Sequence, residues 1–107
     1  MTNEKGYVAL IDKISIPKSS MEELSKQAEP LELYLKTMPG LIRQEQFEQI
    51  DLQGNLTRVT IAVWSDSGAL AKARDAVQAK FYHSGANLPE LMQRLNVKIE
   101  RGIYNVK

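Results

Sequence analysis

The sequence predicts an α+β domain, a four-stranded antiparallel sheet with both long helices on one face. Three observations predict it. The elements fall in the order β-α-β-β-α-(short α)-β, the strand stretches alternate with period two, and the helical stretches each carry a single apolar stripe. At 107 residues the chain has the length of one domain, residues 1–107, with room for one core.

Tyr7 to Ile16 reads as the first strand, with Val8, Leu10, Ile14 and Ile16 on one face and Tyr7, Ala9 and Ile11 on the other. Pro17 ends it, because proline has no N–H to give a sheet ladder. Ser20 and Glu23 then stand at capping-box spacing and predict a helix start, followed by a stripe of Met21, Leu24, Ala28, Leu31 and Leu35. Pro30 lies inside this stripe and is expected to kink or split the helix. Met38-Pro39-Gly40 is a turn. Leu41 to Ile50 is a weaker, partly exposed strand whose imperfect alternation suggests a bulge.

Asp51, Gly54 and Asn55 supply hairpin-turn chemistry, and Leu56 to Trp64 returns with Val59, Ile61 and Val63 on one face and Leu56, Ala62 and Trp64 on the other. Ser65, Asp66 and Ser67 offer capping oxygens to a second helix, with Leu70, Ala73, Val77 and Phe81 in one stripe, ending near His83-Ser84-Gly85. Asn87-Leu88-Pro89-Glu90 opens a short third helix, and Val97, Ile99 and Ile103 mark a last strand running to about Val106. This order is that of the split βαβ, or ferredoxin-like, arrangement.

Helices cover one face of such a sheet. The first and third strands are apolar on both faces, so the second face also needs cover. A second copy packed sheet to sheet provides it through a twofold axis, which predicts a homodimer; the alternative is that the third helix or the terminal residues fold over that face.

The 14 basic and 13 acidic residues leave a net charge of +1, with no field to draw in nucleic acid or an anionic membrane. The absence of cysteine rules out disulfides and thiolate chemistry. The polar opening Met1-Thr2-Asn3-Glu4-Lys5-Gly6 leads straight into a strand, with neither a secretory nor a membrane-spanning run, so the expected location is cytoplasmic. One histidine and no ligand spacing predict no metal, and the six glycines form no nucleotide-binding fingerprint.

The chemistry-bearing candidates are few. His83, at the end of the second helix, fits a helix-capping cation and, second to that, a general base. Trp64, at a strand-to-helix junction, fits core packing ahead of a pocket wall. Asp12 and Lys13 lie within the first strand, where a buried Asp12 would need Arg101 or Arg58 as partner. Tyr34, Tyr82 and Tyr104 could present hydroxyls to an aromatic ligand or simply pack. Lys72, Arg74 and Lys80, interrupted by Asp75, read as a solvated helix face.

The strand-to-capped-helix opening, the turn Met38-Pro39-Gly40-Leu41-Ile42 and the junction Val63-Trp64-Ser65-Asp66-Ser67-Gly68-Ala69-Leu70 resemble the antibiotic biosynthesis monooxygenase-like domains of the dimeric α/β barrel group. The likeness runs from about Tyr7 to Val106. It implies a homodimer whose sheets face each other, and a cavity between sheet and helices in each subunit. The group includes cofactor-free oxygenases of phenolic or quinol compounds and haem-degrading enzymes. In the haem-degrading branch an asparagine on the first strand and a tryptophan after the third accompany a histidine on the second helix. Here Trp64 matches, the first strand offers Asp12, and the histidine position holds Arg74, so the resemblance implies no haem and no other cofactor.

In the cofactor-free branch the substrate supplies the electrons. By that likeness His83, Arg74 and Tyr82 are the catalytic candidates, and Trp64, Tyr34, Asp12 and Arg101 line the substrate. Trp64 would shape the cavity, Arg74 or Arg101 would stabilise an anion, and His83, Tyr34 or Tyr82 would handle the proton. The competing expectation is a non-catalytic module that binds a small apolar or aromatic ligand, or that only dimerises.

Overall fold

The computed structural model describes the backbone of residues 6–83 and 88–107, and the side chains of these except 81–83 and 88. Strand β1 is Val8–Ile16, followed by a 3-10 turn, Lys18–Ser20, and helix α1, Met21–Leu35. Strands β2, Leu41–Ile50, and β3, Leu56–Trp64, form a hairpin; helices α2, Ser67–His83, and α3, Leu88–Arg94, lead to β4, Lys98–Asn105. The sheet order is β2-β3-β1-β4 with every neighbour antiparallel, the ferredoxin-like α+β arrangement that the element order predicts.

Local chemistry explains the connections. The Asp51 carboxylate accepts the backbone N–H groups of Gln53 and Asn55, both at 2.9 Å, which sets the hairpin turn. The Asp66 carboxylate accepts the Ala69 N–H at 2.7 Å and caps α2. Gly40 has φ +90°, and a Cβ there would stand 2.5 Å from that of Ala69, so the turn into β2 needs glycine on two counts. The irregularity expected in β2 is a register shift between Leu41 and Arg43.

The capping box expected for α1, and the splitting that Pro30 offered as one of its two outcomes, are both corrected. Ser20 makes no capping bond; its buried hydroxyl donates to the Leu95 carbonyl at 2.7 Å, and Glu23 pairs with Arg94 instead of folding back. Both capping-box side chains are therefore spent on tying α1 to the α3 end of the molecule. Pro30 does not split the helix, which runs unbroken from Met21 to Leu35. Pro30 and Lys26 are both exposed, so the Lys26 carbonyl that proline leaves without a donor lies on the solvent side, where water replaces the lost bond.

The helix-covered face holds two apolar clusters. Ile16, Leu24, Leu56, Leu95 and Val97 form one. Val8, Trp64, Leu70 and Ala73 form the other, at the opposite end of β1 and β3. Each fully buried leucine or valine contributes about 1.5–3 kcal/mol against the entropy of ordering the chain. On the second face lie Ile11, Val59 and Ile61, each half-buried, flanked by Phe47 (55% exposed) and Tyr104 (56% exposed), while Ala9 and Val63 at one end of that face are buried. Tyr104 lies across Gly102, where any Cβ would meet its ring at 2.7 Å.

Candidate functional site

The two apolar clusters do not meet. Between them a polar row crosses all four strands in register, Gln46 on β2, Thr60 on β3, Asp12 on β1 and Arg101 on β4. Alternation along each strand puts all four side chains on the helix-covered side. Above this row the sheet and α1 leave a cleft of about 420 Å³. That is within the range of small-molecule sites.

One wall is apolar: Leu24, Ala28, Leu31 and Leu35 of α1, closed at one end by Leu91 and Met92 of α3. The floor is the polar row, edged by Leu10, Ala62 and Ile14. Asp12 is only 7% exposed, and Arg101 meets it in a two-bond fork, Nε to Oδ1 at 2.8 Å and Nη2 to Oδ2 at 2.9 Å. The hydrogen bonds that Arg101 donates to Asp12 raise its pKa above the ordinary value, so the guanidinium stays charged. Arg58, also on the cleft, gives Nε and Nη2 to the Glu48 carboxylate at 2.8 and 2.7 Å. Such a space offers a flat apolar ligand contact on one side and hydrogen-bonding edges on the other.

Of the residues singled out from sequence, Asp12 and Arg101 come together on the cleft floor. Trp64, Tyr34 and Arg74 are not among the residues lining it. Trp64 is 2% exposed inside the second apolar cluster, and its Nε1 has no hydrogen-bond partner among the described residues. Tyr34 lies under the Lys80 ammonium, 4.3 Å from the ring centre. Arg74 is exposed and 3.9 Å from Asp75, on the solvated face of α2. The side chains of His83 and Tyr82 lie outside the described residues. Sequence reasoning did not single out Thr60 and Gln46. A polar residue at an inward position of two adjacent strands is the signal that marks them. Among the described residues no group of three or more His, Cys, Asp or Glu side chains is placed to hold a metal ion.

No protein-family model matches the sequence, and no curated protein matches it. Solved structures do match in shape. SnoaB, a cofactor-independent oxygenase from Streptomyces nogalater, superposes with a TM-score of 0.64 at 20% identity, over 95% of this chain and 94% of its own. A candidate monooxygenase from Shewanella loihica gives 0.63 at 16% identity, covering 98% of both chains. A dimeric ferredoxin-like protein from an uncultured marine organism gives 0.65 at 12% identity, covering 94% of both. The resemblance carried by the turn at Gly40 and the junction at Trp64 thus has its structural counterpart: the chain has the ferredoxin-like fold on which these oxygenases and this dimer are built.

Proposed function

We propose that the protein is a cofactor-independent monooxygenase of a small aromatic or quinol-like compound, working as a homodimer with the cleft under α1 as its active site. The observation that carries the reading is the cleft itself, whose α1 wall is apolar and whose floor sets a permanently charged Arg101 beside it. The shared fold with a cofactor-independent oxygenase supports the same reading by analogy. The half-buried apolar residues of the second face, with exposed Phe47 and Tyr104 at its margins, support a second copy as its cover.

The chemistry asks little of the protein. The substrate loses a proton, and its anion passes one electron to O2. The radical and superoxide join at a ring carbon to give a peroxide, and loss of water leaves a carbonyl there. One oxygen atom enters the product and the other leaves in water, with all four electrons drawn from the substrate. Arg101 donates a hydrogen bond to the substrate oxygen that loses the proton, Asp12 fixes the guanidinium in place, and the α1 leucines keep water from the radical pair. The proton goes to His83 or Tyr82 at the end of α2, the roles their residue types suit.

Oxygen uptake with a panel of anthrone-type and naphthoquinol compounds tests the reading. At least one compound is expected to raise uptake above its rate in buffer, and Arg101→Gln to lower that rate about tenfold or more. No uptake with any member of the panel overturns the oxygenase. A second reading, binding without turnover, draws on one observation: both arginines on the cleft are already committed to carboxylates, as in a site built for recognition. Saturable binding of the same panel with no oxygen consumed would favour it.

A further inference from the structure

The charge balance of the cleft carries a statement about selectivity. Six ionisable side chains line it: Asp12, Glu32 and Glu45 against Lys36, Arg58 and Arg101. The two arginines are each clasped by a carboxylate at 2.9 Å or less, Arg101 by Asp12 and Arg58 by Glu48. Asp12 is the critical member. Its side chain is 11% exposed, whereas that of Arg101 is 54% exposed, so the carboxylate sits under the guanidinium while the guanidinium faces the open space.

We propose that the Asp12–Arg101 fork makes the cleft selective for uncharged planar ligands, and that Asp12 is the residue that rejects anionic ones. A lone guanidinium beside apolar walls would be a strong attractor for sulfonates, carboxylates and phosphates. With a carboxylate held against it, the pair has no net charge. A ligand anion that gains from Arg101 then meets repulsion from Asp12 a few ångströms away. A neutral ring system loses nothing. It packs on Leu31 and Leu35 and finds donors in the guanidinium and the Thr60 hydroxyl. The inference rests on the cleft being the ligand site of the proposed function, and not on turnover.

Two fluorescent probes share one skeleton and differ by a single charge: N-phenyl-1-naphthylamine, which is neutral, and 8-anilinonaphthalene-1-sulfonate, which is anionic. The unmodified protein is expected to bind the neutral probe about tenfold or more tightly than the sulfonate. In Asp12→Asn the ratio of neutral-probe to sulfonate affinity is expected to fall about tenfold, through a gain by the sulfonate. The double variant Asp12→Asn/Arg101→Gln separates charge from loosened packing: the gain disappears if it came from the unbalanced guanidinium. Equal binding of the two probes to the unmodified protein, no binding of either, or a sulfonate gain that persists in the double variant each overturns the proposal. Because both readouts are binding, the absence of oxygen uptake would sink the oxygenase and leave this selectivity standing.

Discussion

At the Trp64 end of the helix-covered face, Val8, Trp64, Leu70 and Ala73 are each 9% exposed or less. Two same-face steps along β1, from Val8 to Asp12, the same strands open onto a 420 Å³ cleft floored by Gln46, Thr60, Asp12 and Arg101. Both regions lie under helices of similar length and share two central strands. What separates them is side-chain chemistry at inward positions: apolar residues draw the helices down until the space is filled, whereas polar ones hold back the α1 wall. The contrast explains why a sheet of ordinary length can be a packed core at both ends and an open cleft in the middle.

The largest expected effect breaks the packed end. Trp64→Ala should cost about 3–5 kcal/mol in urea unfolding, because the cavity has rigid walls, whereas Thr60→Val on the cleft floor should stay within about 0.5 kcal/mol. Trp64→Phe sharpens the comparison. It removes a buried N–H that has no partner among the described residues, and this offsets part of the lost volume, leaving a cost of about 1 kcal/mol. A Trp64→Ala cost as small as that of Thr60→Val would mean that the tryptophan lines open space.

The second comparison is between the two faces of the sheet. Phe47 is 55% exposed on β2 and touches neither apolar cluster of the helix-covered side. Phe47→Glu should therefore leave the stability of one chain within about 0.5 kcal/mol and separate the proposed homodimer, read by size exclusion with light scattering. A variant that keeps the mass of the unmodified protein would remove this face from the interface.

Most of the architecture was legible because it rests on periodicity. The alternation Val8, Leu10, Ile14, Ile16 against Ala9 and Ile11 already separates the two faces of β1, and β3 repeats it, although with both faces apolar it left open which one meets helices. What could not be read was where side chains go when two chemistries compete for them. Ser20 and Glu23 have capping spacing, but Leu95 and Arg94, more than seventy residues away, offer partners that satisfy them better. Pro30 was expected to kink or split α1, and whether a helix splits there depends on whether the freed carbonyl is wet. At the site, the need of a buried carboxylate for a cation named Arg101 or Arg58 as the partner of Asp12, and the fold gives it Arg101 while Arg58 goes to Glu48. Core packing was the favoured reading of Trp64 and is the place the fold gives it, against the cavity wall that the family likeness implied. Gln46 and Thr60 matter only through register, and register is a property of the folded sheet.

The smallest effect concerns how α3 closes the end of the cleft. Its dock on α1 has two parts: the buried Ser20 hydroxyl on the Leu95 carbonyl, and the exposed fork from Arg94 to Glu23 at 2.8 and 3.2 Å. The hydrogen bond from Arg94 holds the Glu23 carboxyl below its ordinary value of 4.5, with the charges of Arg94 and Lys26 adding to it. A carboxyl whose pKa is depressed on folding contributes stability at all pH values above its unfolded pKa, and loses it as pH falls through the lower folded value. The fork should therefore persist through mildly acidic pH and open only in stronger acid. The Ser20 bond, which carries no ionisable group, should be unmoved. Carbon NMR of the Glu23 carboxyl should show a midpoint below 4.5 that returns toward 4.5 in Arg94→Gln. A midpoint equal in the two proteins would leave α3 held by Ser20 and the apolar contacts of Leu91 and Met92 alone, a dock with no dependence on acid.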